Sequence, residues 1–98
     1  MLMKGYVYIL SNKNNSVLYT GVTSNLKERI IQHKVRKHSN SFSARYNTAK
    51  LVNYEQFETM GEAIKREKQI KVGSRKKKND LINFKNPEWR DLSQSMAG

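Results

Sequence analysis

The chain has 98 residues, enough for one domain with a modest core and too few for a second module. Nineteen Lys and Arg residues stand against eight Asp and Glu, a net charge of +11 that indicates a polyanionic partner, with nucleic acid favoured over an anionic membrane. The absence of cysteine excludes disulfides, thiolate zinc sites and cysteine nucleophiles, and it fits a reducing cytoplasm.

Membrane and secretory classes find no support in the sequence. No apolar run approaches the roughly 20 residues of a membrane span. The first residues lack the pattern of a secretory signal. We therefore expect a cytoplasmic protein with no membrane partner. For the net positive charge, the alternative to a polyanionic partner is a basic surface that is merely solvated.

The first predicted element is a β-hairpin. Two short apolar runs, Tyr6–Leu10 and Val17–Val22, flank a polar break. Asn14 and Asn15 tolerate positive φ and suit the turn. Because apolar residues occupy both faces of each run, we expect this hairpin to form the centre of the domain and not its edge.

Each strand of the hairpin carries a tyrosine that the core does not obviously need. A four-residue loop at 12–15 places Tyr8 directly opposite Tyr19 on one face. The two phenols are then either a proton-transfer pair or an aromatic cross-strand pair. The residue types alone favour packing, since tyrosine is a good strand former.

A capping box predicts the first helix. Asn25 is the cap and Glu28 is at the third helical position, and the helix is expected to run to about Lys37. Arg29 and His33 lie four residues apart beside its apolar stripe. They are either a snorkelling arginine and a satisfied core histidine, or two members of a site.

Residues 38–50 are polar and show no clear periodicity. Phe42 and Tyr46 are expected to anchor this segment to the core. The alternation of Leu51–Phe57 then predicts a third strand, and its mixed character indicates an edge position.

A second capping box predicts the next helix, with Thr59 as the cap and Glu62 at the third position. Gly73 is a plausible stop. A third helix is expected around Asp80–Phe84, and Asn86 with Pro87 is expected to open a last helical turn.

Glu67 lies in the middle of the apolar side of the second helix. A buried carboxylate is costly unless it is paired or bound to a cation. Glu67 is therefore either an ion-pair partner of Arg29 or Lys71, which the residues alone favour, or a metal ligand between helix and sheet.

Positive charge is concentrated in the second half of the chain. Because core-forming sequence bounds this basic run, we expect a fixed patch that neutralises phosphates and makes binding fall with salt. The expected nucleic-acid-binding side chains are Lys65, Lys68, Lys71, Arg75, Lys76 and Lys77. Residues 1–92 are expected to form the single domain, and residues 93–98 a frayed tail.

The hairpin and first helix also carry a family resemblance. Tyr6-Val7-Tyr8 and Tyr19-Thr20-Gly21 resemble the two halves of the GIY-YIG nuclease signature, with Tyr6 in place of the first glycine. The sequence from Gly21 to His33 resembles the small, stand-alone bacterial members of the GIY-YIG family, which are related to the N-terminal nuclease domain of the excinuclease C subunit. The resemblance runs from about Tyr6 to Trp89.

The resemblance implies an α+β fold, a small three-stranded antiparallel sheet flanked by helices, with the active site on one face of the sheet. Gly21 would let the backbone pass close to the substrate, and Asn86 falls near the position of a late asparagine in some members. Carried onto this chain, the catalytic residues are Tyr8, Tyr19, Arg29 and His33, and the metal ligand is Glu67.

The expected function is metal-dependent endonuclease activity on DNA, favoured over RNA, in repair or processing. The chain has eight acidic residues, and only Glu67 is placed as though buried. Because a two-metal site needs several clustered carboxylates, the sequence supports a site with one hydrated Mg²⁺ or Mn²⁺ ion. The alternative is a non-catalytic basic module that binds nucleic acid.

Overall fold

The computed structural model describes residues 3–35 and 46–96. The chain folds as an α+β domain in which an antiparallel sheet of three strands is flanked by helices, as predicted. In chain order the elements are β1 (Gly5–Ser11), β2 (Leu18–Thr23), α1 (Leu26–Val35), β3 (Lys50–Phe57), α2 (Met60–Lys71), α3 (Arg75–Lys85) and a 3₁₀ helix (Leu92–Met96).

The sheet order is β2-β1-β3, which places β1 at the centre. The hairpin as a whole was expected at the centre, and this is wrong for β2, which is an outer strand. The outer position of β3 agrees with the prediction. None of the helices in residues 3–35 and 46–96 has the length and apolar character needed to cross a membrane.

The register of the hairpin differs from the prediction. Tyr8 pairs with Gly21, and Tyr19 pairs with Leu10, so the two tyrosines are diagonal neighbours and do not lie directly opposite each other. The shift is two residues. A shift of one residue would have turned one tyrosine to the other face, whereas a shift of two keeps both on the same face.

The cause of the shift is the connection, which is six residues long. Asn12 organises this loop: its side-chain oxygen accepts hydrogen bonds from the backbone N–H groups of Ser16 and Val17, each at 2.9 Å. Asn15 has a φ of 62°, the left-handed conformation that asparagine tolerates.

The central strand buries side chains on both faces. One face of the sheet packs against α2 and α3, and its cluster contains Val7, Ile9, Val52, Ala63, Ile70 and Ile82. The other face packs against α1, and its cluster contains Tyr8, Leu10, Leu26, Ile30 and Leu51. The second face is the one that carries the tyrosines.

Both predicted capping boxes are present. The side-chain oxygen of Asn25 accepts from the N–H of Glu28 at 3.1 Å, and that of Thr59 accepts from the N–H of Glu62 at 3.2 Å. Each cap satisfies a donor that the first turn of a helix leaves open. Helix α2 ends at Lys71 with Val72 as its C-cap, so Gly73, the predicted stop, is the first residue after the cap.

Part of the segment after α1 lies outside the described residues. The predicted end of this helix at Lys37 and the predicted anchor Phe42 both fall there. Within the described part, α1 extends to Val35, and Tyr46 is 44% exposed.

Helix α3 begins earlier than predicted. Ser74 is its cap, and the Ser74 hydroxyl oxygen accepts from the N–H of Lys77 at 3.1 Å. The basic run is therefore the start of the helix and not a segment before it. Asn86 ends this helix, and a tight turn closed by Trp89 N–H and Asn86 O at 2.9 Å replaces the predicted last helical turn.

Candidate active site

Three rings from three elements meet on the α1 face of the sheet. They belong to Tyr8 of β1, Tyr19 of β2 and His33 of α1. The ring centroids are 6.2 Å apart for Tyr8 and Tyr19, 5.8 Å for Tyr8 and His33, and 5.4 Å for Tyr19 and His33. We call these three residues the ring cluster.

Hydrogen bonds link the ring cluster. The Tyr8 hydroxyl oxygen lies 3.2 Å from His33 Nε2, and the Tyr8 hydroxyl is also hydrogen-bonded to Tyr19. Tyr8 is 2% exposed, whereas Tyr19 and His33 are half-buried. The cluster thus runs from the buried centre of the sheet towards solvent.

The charge state of Tyr8 follows from its surroundings. Burial raises the pKa of Tyr8 well above its ordinary value, and the neighbouring Tyr19 raises it further, while the Arg29 guanidinium opposes this in part. Tyr8 is therefore a neutral phenol at physiological pH. It can donate its proton to a hydrogen bond, but it is not a resting base.

Gly21 makes room for the Tyr8 ring. A Cβ atom built on residue 21 would overlap the oxygen and Cζ of the Tyr8 phenol. The φ angle of Gly21 is not positive, so the need for glycine here is steric. The structure thus gives Gly21 a role different from the predicted approach of backbone to substrate.

Arg29 and Glu67 bring opposite charges to the ring cluster. Arg29 lowers the pKa of Tyr8 and Glu67 raises it, so both groups lie within electrostatic range of the phenol. Arg29 forms no ion pair with any residue that the structure describes. Its charge is available to an anionic ligand.

Glu67 is largely buried, as its place on the apolar side of α2 predicted. Its side chain is 12% exposed, and its carboxylate pairs with Lys71 at 2.7 Å. Of the two ion-pair partners that the sequence allowed, the structure thus contains Lys71. Helix α2 packs across β1 and β2, the strands that carry the two tyrosines.

The donor set limits the kind of metal that could bind. No group of three or more His, Asp and Glu side chains in residues 3–35 and 46–94 is arranged to hold a metal ion. The Glu67 carboxylate alone fits a divalent ion that keeps most of its water, as magnesium does. Glu67 belongs to α2, whose buried apolar residues pack on the face of the sheet opposite the ring cluster.

The other predicted site residues are not in the ring cluster. Helices α2 and α3, which carry the predicted basic patch, pack on the opposite face of the sheet. Arg75 donates to the carbonyls of Asn15 at 2.6 Å and Ser16 at 3.1 Å, and Lys76 pairs with Asp80 at 2.8 Å. Four of the six form no ion pair with a described residue: Lys65, Lys68, Arg75 and Lys77.

Asn86 has a structural environment. It is 5% exposed, and its amide donates to the carbonyls of Val52 at 3.0 Å and Arg90 at 2.9 Å. Its side-chain oxygen accepts from the N–H of Arg90 at 3.0 Å. These bonds join β3 to the C-terminal segment and leave the amide engaged away from the ring cluster.

A support for α1 was missed by the sequence analysis. Lys34 donates to Asp91 at 2.7 Å and to the carbonyl of Ala49 at 3.0 Å. The other oxygen of Asp91 accepts from the N–H of Leu51 at 3.2 Å and from the Ser93 hydroxyl at 2.6 Å. These contacts hold α1 to the sheet, and no local pattern signals them.

A family model described as the GIY-YIG catalytic domain matches residues 4–80. The chain belongs to the GIY-YIG family. GIY-YIG nucleases act on nucleic acid. The matched range contains all five predicted catalytic and metal-binding residues: Tyr8, Tyr19, Arg29, His33 and Glu67.

Curated relatives of similar length support the assignment. A UPF0213 protein of Staphylococcus saprophyticus is 43% identical over 84 residues, covering 82% of this chain and 95% of the relative. A UPF0213 protein of Syntrophus aciditrophicus is 38% identical over 87 residues, covering 89% of this chain and 98% of the relative.

A solved structure agrees with the fold. The solution NMR structure of the UPF0213 protein BH0048 from Bacillus halodurans matches with a TM-score of 0.57 and 33% sequence identity. The match covers 94% of this chain and 96% of that one. This GIY-YIG chain is therefore similar to small UPF0213 proteins over nearly their whole length.

Proposed function

We propose that this protein is a metal-dependent endonuclease that hydrolyses phosphodiester bonds in DNA, in repair or processing. The observation that carries the proposal is the hydrogen bond between Tyr8 and His33 inside the ring cluster, within electrostatic range of one guanidinium and one carboxylate. DNA is favoured because the small stand-alone members that this chain resembles are related to the excinuclease C nuclease domain.

The ring cluster supplies a route for the proton of the attacking water. Tyr19, which is half-buried like His33, is proposed to meet that water. As the water oxygen attacks phosphorus, Tyr19 takes its proton and passes its own to Tyr8, and Tyr8 passes its own to His33 Nε2. Tyr8 is suited to the middle position because it keeps its proton until the neighbouring group moves.

Arg29 is proposed to hold the scissile phosphate. A guanidinium forms two parallel hydrogen bonds to a phosphate, and its charge persists at any physiological pH. The half-buried position of Arg29 strengthens its attraction for the charge that develops on the phosphoryl oxygens.

Glu67 is proposed to bind one Mg²⁺ or Mn²⁺ ion. A divalent ion bound there would supply positive charge next to the leaving 3′ oxygen. The existing pair with Lys71 can open to admit a cation, because the Lys71 side chain is half-exposed and its ammonium can return to solvent.

A nicking assay on supercoiled plasmid tests the proposal. With Mg²⁺ or Mn²⁺ the wild-type protein is expected to convert the plasmid to the open-circular form, and EDTA is expected to abolish the reaction. Glu67→Gln keeps the size of the side chain and removes its charge, and it is expected to lower the rate on the order of 100-fold or more.

Glu58→Gln is the matched control, since it makes the same change in net charge at an exposed position. It is expected to nick at the wild-type rate. Metal-independent background that is equal in wild type and Glu67→Gln, together with salt-sensitive DNA binding, would instead identify a non-catalytic module. The Glu67–Lys71 ion pair is the observation that favours that second candidate.

A further inference from the structure

A basic cavity opens at the end of the sheet where β1 finishes and β3 begins. Its volume is about 340 Å³, and the side chains of Lys13, Lys34 and Lys50 line it together with Ser11 and Asp91. We call it the sheet-end pocket. None of its three lysines belongs to the basic patch that the sequence predicts.

The charge of the sheet-end pocket is positive. Three ammonium groups and one carboxylate give it a net charge of +2. The carboxylate is also engaged, because Asp91 accepts hydrogen bonds from Lys34, from the N–H of Leu51 and from Ser93. An anion entering the pocket therefore meets ammonium groups and not a free carboxylate.

Two of the lysines are held in place before any ligand arrives. Lys50 donates to the side-chain oxygen of Asn15 at 2.6 Å, and Lys34 is fixed by Asp91 and the carbonyl of Ala49. An ammonium has three donors, so each can still donate to a ligand. Lys13 is exposed and forms no ion pair with any described residue.

The sheet-end pocket and the ring cluster share two elements, β1 and α1. Lys34 follows His33 on α1, and Ser11 comes three residues after Tyr8 on β1. Three residues of strand span about 10 Å. One nucleic-acid strand could therefore contact both the pocket and the ring cluster.

We propose that the sheet-end pocket binds a backbone phosphate that flanks the scissile phosphate, in the strand that the ring cluster cleaves. This inference rests on the proposed function, since it uses the ring cluster as the cleavage point. Lys13, Lys34 and Lys50 neutralise the phosphate. The contact is to the backbone, so it positions the strand without reading its sequence.

The densest run of basic residues in the sequence does not mark the place where we propose that DNA binds. The basic helices α2 and α3 cover the other face of the sheet, and several of their cations already have partners. The pocket lysines come from a loop, a helix and a strand, and only folding brings them together at the end of the sheet.

Binding of a short labelled duplex, followed by fluorescence anisotropy across a salt series in EDTA, tests the pocket without any cleavage. Lys13→Gln is expected to make the slope of log K against log salt shallower by about 0.9, the value for one lost duplex phosphate contact. Lys13→Arg is expected to keep the wild-type slope. The matched control is Lys4→Gln, because Lys4 is exposed and lies before β1, at the opposite end of the strand.

Each outcome decides a separate question. Equal slopes for wild type and Lys13→Gln would overturn the pocket, whatever the nicking assay shows. A shallower slope for Lys4→Gln as large as that for Lys13→Gln would also overturn it, because the effect would then be one of net charge. A slope change specific to Lys13 supports the pocket even if wild type fails to nick, and in that case only the nuclease proposal falls.

Discussion

The phenol of Tyr8 lies over Gly21, its direct partner in the pairing of β1 with β2. The absence of a side chain at position 21 leaves the space that the Tyr8 ring occupies. The hydroxyl at the end of that ring reaches His33 Nε2 at 3.2 Å. The glycine of the second signature triplet thus sets the position of the tyrosine of the first.

Gly21→Ala is expected to displace the Tyr8 ring. Overpacking of this kind costs about 1–3 kcal/mol, and the displaced hydroxyl would lose its contact with His33. We therefore expect a lower free energy of unfolding in urea and a loss of plasmid nicking. The double variant with Tyr8→Phe should recover part of the stability, because the overlapping oxygen is gone, but none of the nicking.

Gly61→Ala is the control for this prediction. Position 61 lies in the first turn of α2, and a Cβ there has no neighbour closer than 3.9 Å. The substitution is expected to be neutral or to stabilise the protein by about 0.5–1 kcal/mol. Equal losses of stability at positions 21 and 61 would contradict the packing of Tyr8 on Gly21.

Local sequence patterns were sufficient for much of the fold. The two capping boxes and the alternation of the strands depend on neighbours within four residues, and the structure contains them. The buried position of Glu67 followed from helical periodicity alone. Sequence signals of this range indicate which element forms and which side of it is buried. The residues of the ring cluster were anticipated through the resemblance to the GIY-YIG signature, since local signals alone favoured packing for the two tyrosines.

Register and long-range support could not be anticipated in the same way. The six-residue loop depends on the side chain of Asn12, which accepts from two backbone groups. Arg75 reaches the carbonyl of Asn15, 60 residues away in sequence, and Lys34 reaches Asp91, 57 residues away. No spacing rule connects residues so far apart, so their roles appear only in the folded chain.

The buried phenol predicts a loss of stability at alkaline pH. The folded protein binds the Tyr8 proton more tightly than the unfolded chain does, because burial raises the pKa of Tyr8 in the folded state. The contribution of the Tyr8 proton to the free energy of unfolding is complete below about pH 10, the pKa of an unfolded tyrosine, and it falls as pH rises further. Urea unfolding of wild type and Tyr8→Phe across this range measures the difference.

The expected result is a constant difference in unfolding free energy between wild type and Tyr8→Phe up to about pH 10, followed by a decline. Comparison of the two proteins removes the contribution of lysine titration, which they share. Tyr54→Phe serves as the control for loss of an exposed phenol. A difference that stays constant at high pH would show that Tyr8 is not buried as described.

Asp91 predicts the opposite dependence at acid pH. Partial burial acts against it, but hydrogen bonds from Lys34, Ser93 and the N–H of Leu51 hold the pKa of Asp91 below its ordinary value. The resulting stability is present above about pH 4 and is lost as pH falls through the lower pKa that Asp91 has in the folded state. Asp91→Asn is expected to cost about 1–2 kcal/mol at neutral pH, after allowance for solvent screening.

The acid dependence supplies the check on that prediction. The cost of Asp91→Asn should shrink as the pH of the urea titration is lowered, since the wild-type protein then loses the same interaction. Asp80→Asn breaks an exposed pair with Lys76 and is expected to change stability by no more than about 0.5 kcal/mol. A pH-independent cost at position 91 would contradict the role of its charge.

A comparison of substitutions at Arg75 and Lys77 distinguishes a structural role from a DNA-binding role within one basic helix, α3. Arg75 donates to the carbonyls of Asn15 and Ser16, so Arg75→Gln is expected to lower stability by about 1–2 kcal/mol. It should also speed amide hydrogen exchange in the hairpin loop. Lys77 is exposed and has no ion pair among the described residues, so Lys77→Gln is expected to leave stability within about 0.5 kcal/mol of wild type.

The salt series with the labelled duplex completes this comparison. Because the Arg75 guanidinium is engaged by the loop, Arg75→Gln should change the salt slope less than the value of about 0.9 for a lost phosphate contact. A full change of slope at Arg75 without loss of stability would show that its bonds to the loop open to receive phosphate. A change at Lys77 equal to that at Lys13 would extend the DNA path onto α3, around the edge of the sheet.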